Sequence, residues 1–306
     1  ESLLQKQKAD TNKVKTYFEL IKIKRLYDYA AAMNLAQEQL SLSEKLRYHW
    51  GAGKAHNSMG LIHYTLSHQD SAVWHYMQAA EEFKKINDYG SLPGVYSNIA
   101  TIYSDLNQYD SSIYFSAIAD NYNEKFTGDS SKKVSNKMFI LSNITTNYFH
   151  KHEYDSTLLY NDQVMKMAAA LGNDKVLADC YYQAALVTLA MKKYPGAVEY
   201  SLKALPLYEQ EKMLHSIVQL KSGLATIYYS MGDYNLTRKY AAESNETGLQ
   251  QNDSFSLAQN YMNLGLVELG TGNYTKATAY FEDGLTVTEK IENPFIREQL
   301  LQFMGE

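Results

Sequence analysis

The chain has 306 residues, 45% of them hydrophobic, and its 29 basic and 34 acidic residues give a formal charge of −5. The hydrophobic content excludes general disorder, and the lack of a basic stripe in the sequence argues against nucleic acid as a partner. The sequence contains no run of about 18 apolar residues, so we expect no membrane insertion within this segment.

A turn position recurs along the chain at steps of 40 residues, except for one step of 45. A small or short residue follows it three positions later in every unit. The turn residues are Tyr29, Gln69, Tyr109, Tyr154, Tyr194, Tyr234 and Tyr274, and their followers are Ala32, Ala72, Ser112, Thr157, Ala197, Thr237 and Ala277. A period in this range indicates a helical hairpin that buries its apolar face only by stacking on its neighbours.

Each unit is predicted to contain a helix A, a short turn and a helix B. In the last complete unit, residues 257–269 carry apolar side chains at helical spacing, residues 270–273 end that helix, and residues 274–290 resume it. The units span 11–50, 51–90, 91–132, 133–173, 174–212, 213–252 and 253–292. The sequence therefore predicts an all-α fold, a right-handed α-solenoid of about seven repeats, as a single domain over residues 1–306.

Two departures from the repeat are expected. Leu20 stands where the first unit should have a small residue, which suits a terminal capping repeat. Between Tyr122 and Val134, a polar and glycine-bearing stretch is predicted to absorb the five extra residues of the long step as a longer loop.

The two ends of the sequence carry further expectations. Asn293 is a predicted N-cap, and Pro294 is the predicted first residue of a helix that reaches Met304. That helix either caps the array or begins a further segment, and of the two we expect the natural chain to continue beyond Glu306. The sequence begins at Glu1 without a methionine, as either a trimmed chain or a mature protein that has lost an export signal would.

Small residues recur at two further positions. Twelve residues before each follower, on helix A, stand Gly60, Ala100, Thr145, Ala185, Ala225 and Gly265. Seven residues after it, on helix B, stand Ala79, Ala119, Ala204, Ser244 and Gly284, with Val164 as the exception. Short side chains let helices approach closely. We therefore expect the first set to face the followers where helices A and B cross, and the second set to receive the next helix A.

This arrangement resembles the tetratricopeptide repeat (TPR), most closely in Asn263-Leu264-Gly265, Gly272-Asn273-Tyr274-Thr275-Lys276-Ala277 and Tyr280-Phe281. The resemblance covers about residues 11 to 290. The usual TPR period is about 34, and the longer period here is similar to that of long-helix TPR variants found in peptide receptors and bacterial signalling proteins. HEAT-type repeats also span about 40 residues, but they lack this small-residue triplet with the turn tyrosine.

The resemblance places ligand binding on the inner face of the solenoid, which helix A lines. Position 6 of helix A reads Ser58, Asn98, Asn143, Gln183, Gly223 and Asn263 in successive units. An asparagine amide can both donate to and accept from an extended backbone, so such a row would hold a peptide largely regardless of its side chains. The alternative is that these residues fill or cap the helices without any ligand.

Seven further residues are predicted to line the groove beside that row: Asn57, Tyr64, Thr101, Thr146, Phe149, Tyr182 and Tyr229. Chaperone-tail binders of the TPR family hold a terminal carboxylate with lysine or arginine at positions 5 and 9. Position 5 here reads Asn57, Ser97, Ser142, Tyr182, Ser222 and Met262, so the resemblance does not imply a ligand of that type.

No cofactor, metal site or catalytic group is predicted, and we expect this segment not to be an enzyme. The sequence has no glycine-rich phosphate loop and no nucleophile elbow, and Cys180 lies in an apolar helical stretch with no histidine near it in sequence. His49, His56 and His63 recur every seven residues, but nearly two helical turns separate neighbours by roughly 10 Å, too far for one ion. A second group, in a turn without a third fixed ligand, consists of His150, His152 and Glu153.

The N-terminal segment resembles the sensor region of Bacteroidota signalling proteins. The residues that carry the resemblance are Ser2-Leu3-Leu4 and Ala9-Asp10-Thr11-Asn12-Lys13-Val14, which are followed by 40-residue units. In that group a secreted or periplasmic TPR array precedes a membrane helix and a histidine kinase or DNA-binding output domain. The resemblance implies a non-enzymatic sensor that binds a peptide or protein segment outside the cytoplasm, in a two-component system. Two alternatives stay open: a cytoplasmic peptide-receptor regulator of the quorum-sensing type, and a plain interaction scaffold.

Overall fold

The computed structural model describes Leu4, residues 7–289 and residues 294–305. This part of the chain contains fifteen α-helices and no strand, which confirms the predicted all-α fold. The helices are α1 (Thr11–Lys24), α2 (Tyr29–Lys45), α3 (His49–Thr65), α4 (Gln69–Lys85), α5 (Leu92–Asp105), α6 (Tyr109–Lys125), α7 (Ser130–His150), α8 (Tyr154–Ala170), α9 (Asp174–Ala190), α10 (Tyr194–Gln210), α11 (Leu214–Ser230), α12 (Tyr234–Gln251), α13 (Ser254–Gly270), α14 (Tyr274–Thr288) and α15 (Pro294–Gly305).

Odd-numbered helices up to α13 are the predicted A helices, and even-numbered helices up to α14 are the predicted B helices. The turn between them is short because its backbone closes the end of helix A. In the third unit the Asn107 N–H donates to the Ser104 carbonyl at 2.9 Å, and the Gln108 N–H donates to the Tyr103 carbonyl at 2.8 Å. Asn107 takes the left-handed conformation that this motif requires, with φ of 58°. Helix B then begins at the recurrent tyrosine.

The chain divides into two compact units, Glu1–Tyr160 (unit 1) and Asn161–Glu306 (unit 2), and the division falls within α8. The core of unit 1 includes Tyr76, Phe83 and Ile99, all fully buried. Unit 2 has separate apolar clusters, one of which packs Phe281 against Ile296 and Leu300 of α15. The single-domain organisation predicted from the sequence stays a prediction.

The small residues lie inside the helix crossings, as predicted. All seven followers are at most 2% exposed, and the small sites of the A helices are buried as well. Ser112 Oγ donates to the Ala100 carbonyl oxygen at 2.7 Å, which brings two small sites twelve residues apart into contact. Steric fit at the crossing therefore explains why the sequence repeats short side chains at these positions.

Glycine occupies the small helix A site where an aromatic ring of helix B covers it. A Cβ atom on Gly60 would lie 2.8 Å from the Tyr76 ring, and a Cβ atom on Gly265 would overlap the Phe281 ring. Where helix A has alanine instead, the residues that correspond to Tyr76 in the repeat are Ser116, Ser201 and Ala241. The two positions are thus complementary in volume, a relation that the repeat pattern alone did not reveal.

The predicted long loop between Tyr122 and Val134 is wrong. Helix α6 continues to Lys125 and α7 begins at Ser130, so only residues 126–129 connect them, and α7 reaches 21 residues where other A helices have 14 or 17. The Asp129 side chain accepts hydrogen bonds from the first N–H groups of α7 and so starts the helix early. Most of the extra residues therefore form an additional helical turn.

That additional turn is fixed against α6 by polar contacts. Asn123 is fully buried, and its Nδ2 donates to the Lys133 carbonyl at 3.0 Å. Asn136 Nδ2 donates to Asn123 Oδ1 at 3.1 Å, and Lys137 Nζ donates to Asp120 at 2.7 Å. These contacts set the direction in which the start of α7 points within unit 1.

At the end of the chain, α15 begins at Pro294 as predicted, whereas the predicted N-cap Asn293 lies outside the described residues.

In unit 2, Glu268 is 6% exposed and joins α13 to α12. Arg238 Nε and Nη2 donate to its Oε1 at 3.0 and 2.9 Å, and Asn273 Nδ2 donates to its Oε2 at 2.9 Å.

None of the helices described is both long enough and apolar enough to cross a membrane.

Candidate functional site

In unit 1, three successive A helices line an open pocket of about 240 Å³. Helix α3 contributes Lys54 and Asn57, α5 contributes Asn98, and α7 contributes Lys132, in its additional turn, and Asn136. The remaining lining residues are Phe83, Gly90, Ser91, Gly94 and Val95. The pocket therefore brings together two residues of the predicted groove, Asn57 and Asn98, with two lysines that are not among the predicted groove residues.

Lys54 is a partly buried cation. Its Nζ donates to Ser91 Oγ at 2.9 Å and lies 5.1 Å from the centre of the Phe83 ring and 5.5 Å from that of Trp50. Burial lowers the pKa of Lys54, an effect that Asp88 opposes and Lys132 reinforces. The aromatic rings stabilise the charge in part, but no residue in the described ranges forms an ion pair with it.

Lys132 reaches the same pocket from the first turn of α7. Its Nζ lies 5.5 Å from the centre of the Phe126 ring and forms no ion pair within the described part of the chain. A Cβ atom on Gly90 would lie 3.4 Å from Asp88 Oδ1 and 3.5 Å from Lys132 Nζ, so the backbone of Gly90 fits between these groups. Two ammonium groups thus share one neighbouring carboxylate, whose Oδ1 also accepts the Ser91 N–H at 3.2 Å.

The other predicted groove residues of unit 1 are largely engaged in their own helices. The hydroxyls of Ser58, Thr101 and Thr146 donate to carbonyls one turn earlier, at 2.9, 3.0 and 3.1 Å. Tyr64 donates to Asp105 Oδ2 at 2.7 Å, and this hydrogen bond, together with burial, raises its pKa to about 12. Each of these hydroxyls therefore already has a partner within the protein.

Asn143 and Phe149 complete the predicted set in unit 1. The Nδ2 group of Asn143 is buried and has no acceptor among the residues described. Phe149 lies on the same helix and packs edge-on against the His150 ring, with centroids 5.8 Å apart. A buried amide without an acceptor is costly, so Asn143 is a position at which a bound acceptor would stabilise the protein.

Unit 2 holds the remaining predicted groove residues. Gln183 repeats the situation of Asn143, because its Nε2 is buried without an acceptor among the described residues. Burial raises the pKa values of Tyr182 and Tyr229, and the Tyr229 ring stacks on Tyr234 with centroids 6.1 Å apart. Asn263 is only 2% exposed and donates to Thr226 Oγ1 at 2.9 Å. Its amide therefore supports the neighbouring helix and is not a free donor.

The histidines that recur every seven residues on α3 meet His75 and Glu82 of α4. His56 Nδ1 lies 3.0 Å from His75 Nδ1, His63 stacks on His75 with centroids 5.2 Å apart, and His49 Nδ1 lies 2.7 Å from Glu82 Oε2. We call this row the histidine ladder: His49, His56, His63, His68, His75 and Glu82. In the described ranges, no group of three or more such side chains is arranged to hold a metal ion.

We expect His75 to make unit 1 less stable as the pH falls. Its pKa is lowered to about 4 by burial and then by His56 and His63, whereas a histidine in the unfolded chain titrates near 6.5. Because the unfolded chain binds the proton first, the free energy of unfolding decreases as the pH drops from about 6.5 towards about 4. Allowing for the exposed part of the ring, the contribution of His75 between pH 7 and pH 5 is about 1 kcal/mol.

Thermal unfolding followed by circular dichroism at pH 7 and pH 5 measures this contribution. His75→Gln should reduce the acid-induced fall of the midpoint by about 2–4 °C. His152→Asn is the matched control, because His152 lies in a turn at a φ of 59° that asparagine tolerates. Equal acid sensitivity of wild type and His75→Gln would contradict the assignment.

Stacked helix pairs with short residues at the crossings are typical of a TPR-like α-solenoid. Residues 257–295 match the tetratricopeptide repeat family. A search of curated proteins finds no match. The family match covers most of the seventh unit, which is also the unit that most closely follows the TPR pattern in sequence.

Solved structures share the fold at low sequence identity. The signal transduction ATPase with numerous domains (STAND) protein with a tetratricopeptide repeat sensor from Pyrococcus horikoshii is 17% identical, with a TM-score of 0.79 over 95% of this chain and 44% of that chain. The apo form of the quorum sensor NprR from B. thuringiensis is 15% identical, with a TM-score of 0.69 over 94% and 79%. A Rap protein complexed with Competence and Sporulation Factor is 16% identical, with a TM-score of 0.56 over 95% and 84%.

Proposed function

We propose that the chain is a non-enzymatic module that binds a peptide or protein segment on the faces of its A helices. The observation that supports this most directly is the pocket of unit 1, which Asn57 and Asn98 both line and where neither makes a side-chain hydrogen bond within the described residues. Amides in such a position can bond the backbone of an extended ligand.

The buried amide nitrogens of Asn143 and Gln183 support the same proposal. Each lacks an acceptor among the described residues, at the same repeat position as Asn98. Leaving a buried donor unsatisfied costs about 1–3 kcal/mol, so an acceptor on a ligand would recover free energy at each unit. Asn143 lies in unit 1 and Gln183 in unit 2, so each supports a ligand contact within its own unit.

We also propose that the module is the sensing part of a signalling protein. The resemblance of residues 2–4 and 9–14 to Bacteroidota sensor regions motivates a two-component regulator with this segment outside the cytoplasm. The fold of the P. horikoshii protein, whose repeats are described as a sensor, is compatible with such a role. The reading frame on both sides of residues 1–306 tests the proposal: an export signal before the repeats and a kinase or DNA-binding domain after them is the expected result.

A second candidate is a cytoplasmic peptide receptor of the quorum-sensing type. The likeness to NprR over 94% of this chain favours it, as does the likeness to a Rap protein that was crystallised with Competence and Sporulation Factor. These similarities concern the fold. A DNA-binding or phosphatase domain encoded upstream of the repeats would favour this candidate over the extracytoplasmic sensor.

Peptide binding itself can be tested without knowing the natural ligand. We would select binders to the 306-residue chain from a random synthetic nonapeptide library and measure the affinity of fluorescein-labelled binders by fluorescence polarisation. Asn98→Ala combined with Asn143→Ala should weaken binding about tenfold, because two hydrogen bonds to the ligand are lost. The matched control combines Asn121→Ala and Asn235→Ala, two asparagines of B helices outside the groove, and should leave affinity unchanged. Equal loss in both double variants, or no selected binder at all, would refute the proposal.

A further inference from the structure

We propose that the pocket of unit 1 binds a carboxylate of the ligand, with Lys54 and Lys132 as its cationic contacts and Asn57 and Asn98 as neutral donors. The proposal rests on the proposed peptide-binding function and specifies the chemistry that one pocket recognises. It differs from the expectation drawn from positions 5 and 9 of helix A. The lysines come instead from position 2 of the second unit and from the additional turn of α7.

The charge balance of the pocket supports an anionic ligand. Lys54 and Lys132 face the same space, neither forms an ion pair within the described residues, and Asp88 is the one acidic neighbour identified for Lys54. Lys54 is half-buried and Lys132 is exposed beside it, so two ammonium groups and one carboxylate leave a net positive charge next to a partly desolvated Lys54. Charges in such positions are normally paired, because desolvation is otherwise uncompensated. A ligand with a single negative charge would complete the balance.

The hydrogen-bonding groups around the lysines favour a carboxylate. Asn57 and Asn98 can donate from the walls, while Asn136 already donates to Asn123 and so keeps its orientation. The open space of about 240 Å³ corresponds to roughly eight water molecules, enough for an aspartate or glutamate side chain or a C-terminal residue. A phosphoryl group would bring a charge of about −1.5 to −2 and exceed the uncompensated charge.

The experiment uses pooled nonapeptides of matched random sequence in four forms. One pool is neutral with an amidated terminus, one has a single internal aspartate with an amidated terminus, one is neutral with a free terminal carboxylate, and one has phosphoserine in place of the aspartate. Wild type should retain at least one carboxylate pool about tenfold more strongly than the neutral amidated pool. The retained pool shows whether the carboxylate comes from a side chain or from the chain terminus, and raising the salt from about 50 to about 500 mM should reduce the difference.

Lysine variants then assign the effect to the pocket. Lys132→Gln should weaken binding of the preferred pool about tenfold, because a charge-assisted hydrogen bond is lost. Lys133→Gln is the matched control: it removes the same charge one residue along α7, from a lysine that is paired with Glu124 at 3.4 Å, and it should leave binding unchanged. Lys54→Gln should behave like Lys132→Gln. If circular dichroism shows that Lys54→Gln does not fold, the result for Lys132→Gln alone tests whether the pocket binds the carboxylate.

The outcomes separate the two proposals. If peptides bind wild type without preference for a carboxylate, this inference is overturned, whereas the proposed peptide-binding function is not. Stronger retention of the phosphoserine pool, or equal losses in Lys132→Gln and Lys133→Gln, would overturn it in the same way. Failure of wild type to bind any pool would overturn the proposed function, and this inference with it.

Discussion

An alanine at Gly60 should lower the free energy of unfolding by about 2 kcal/mol, although the substitution adds a single methyl group. The new Cβ atom would lie 2.8 Å from Cδ1 and 2.9 Å from Cε1 of Tyr76, closer than carbon atoms pack. Tyr76 is 1% exposed and belongs to the core of unit 1, so its ring has no free space into which to move. Helices α3 and α4 would therefore have to separate. Urea unfolding followed by circular dichroism measures the change.

Gly223→Ala is the matched control for that substitution. Gly223 also lies inside an A helix, α11, but a Cβ atom there would meet nothing within 4 Å. Alanine at an unhindered helix position reduces the conformational freedom of the unfolded chain, so this variant should be more stable by about 0.5–1 kcal/mol. Opposite signs for the same chemical change would show that the steric contact decides the outcome.

A double substitution tests the complementarity directly. Tyr76→Ser introduces the residue type that other units have at this position, and it removes the ring that Gly60→Ala would strike. In the double-mutant cycle, we expect the cost of Gly60→Ala to fall by about 1–2 kcal/mol when Tyr76 is absent. Additive effects would mean that the methyl group disturbs something other than the Tyr76 contact.

Much of the fold could be predicted from the sequence because every repeat packs its two helices in the same way and therefore needs the same residue types at the same positions. The small residues at the crossings, the recurrent turn and the helix that begins at Pro294 are local features, and the structure confirms them. The long step was predicted wrongly for a physical reason. A polar stretch with a glycine suggests a loop, but Asp129 caps the helix and Asn123 anchors its first turn from α6. That anchor is a tertiary contact, which a repeat pattern does not show.

The candidate site could be predicted only in part. Asn57 and Asn98 were among the predicted groove residues because positions 5 and 6 of helix A were assigned to the inner face. Lys54 and Lys132 were missed, since their proximity depends on the register of three A helices and on the turn that lengthens α7. Only part of the histidine ladder could be predicted from the sequence. Its members on α3 share a helix, but the contact with His75 depends on how α4 packs against α3.

Removing the arginine that pairs with Glu268 should destabilise unit 2 by about 3 kcal/mol, the largest effect that we expect from a single substitution. Burial raises the pKa of Glu268, but hydrogen bonds from Arg238 and Asn273 more than offset this and hold it below its usual value. In wild type the carboxylate therefore contributes stability above its unfolded-state pKa of about 4.3, and this contribution is lost as the pH falls further. Arg238→Leu removes the cation that is hydrogen-bonded to this buried carboxylate and leaves only Asn273 and the charge of Lys276, which forms no ion pair with it among the described residues. Urea unfolding at pH 7 measures the cost.

Two further measurements distinguish an uncompensated charge from a loss of packing in Arg238→Leu. Lys239→Leu alters the adjacent residue, which is exposed and 4.0 Å from Glu243, and should change stability by less than about 0.5 kcal/mol. Adding Glu268→Leu to Arg238→Leu should restore most of the lost stability, because the charge is removed together with its partner. The deficit of Arg238→Leu should also shrink between pH 7 and pH 5, since without the arginine burial raises the pKa of Glu268 and the carboxyl group becomes neutral. A deficit that stays constant with pH and is not relieved by Glu268→Leu would show that Arg238 acts through its aliphatic contacts.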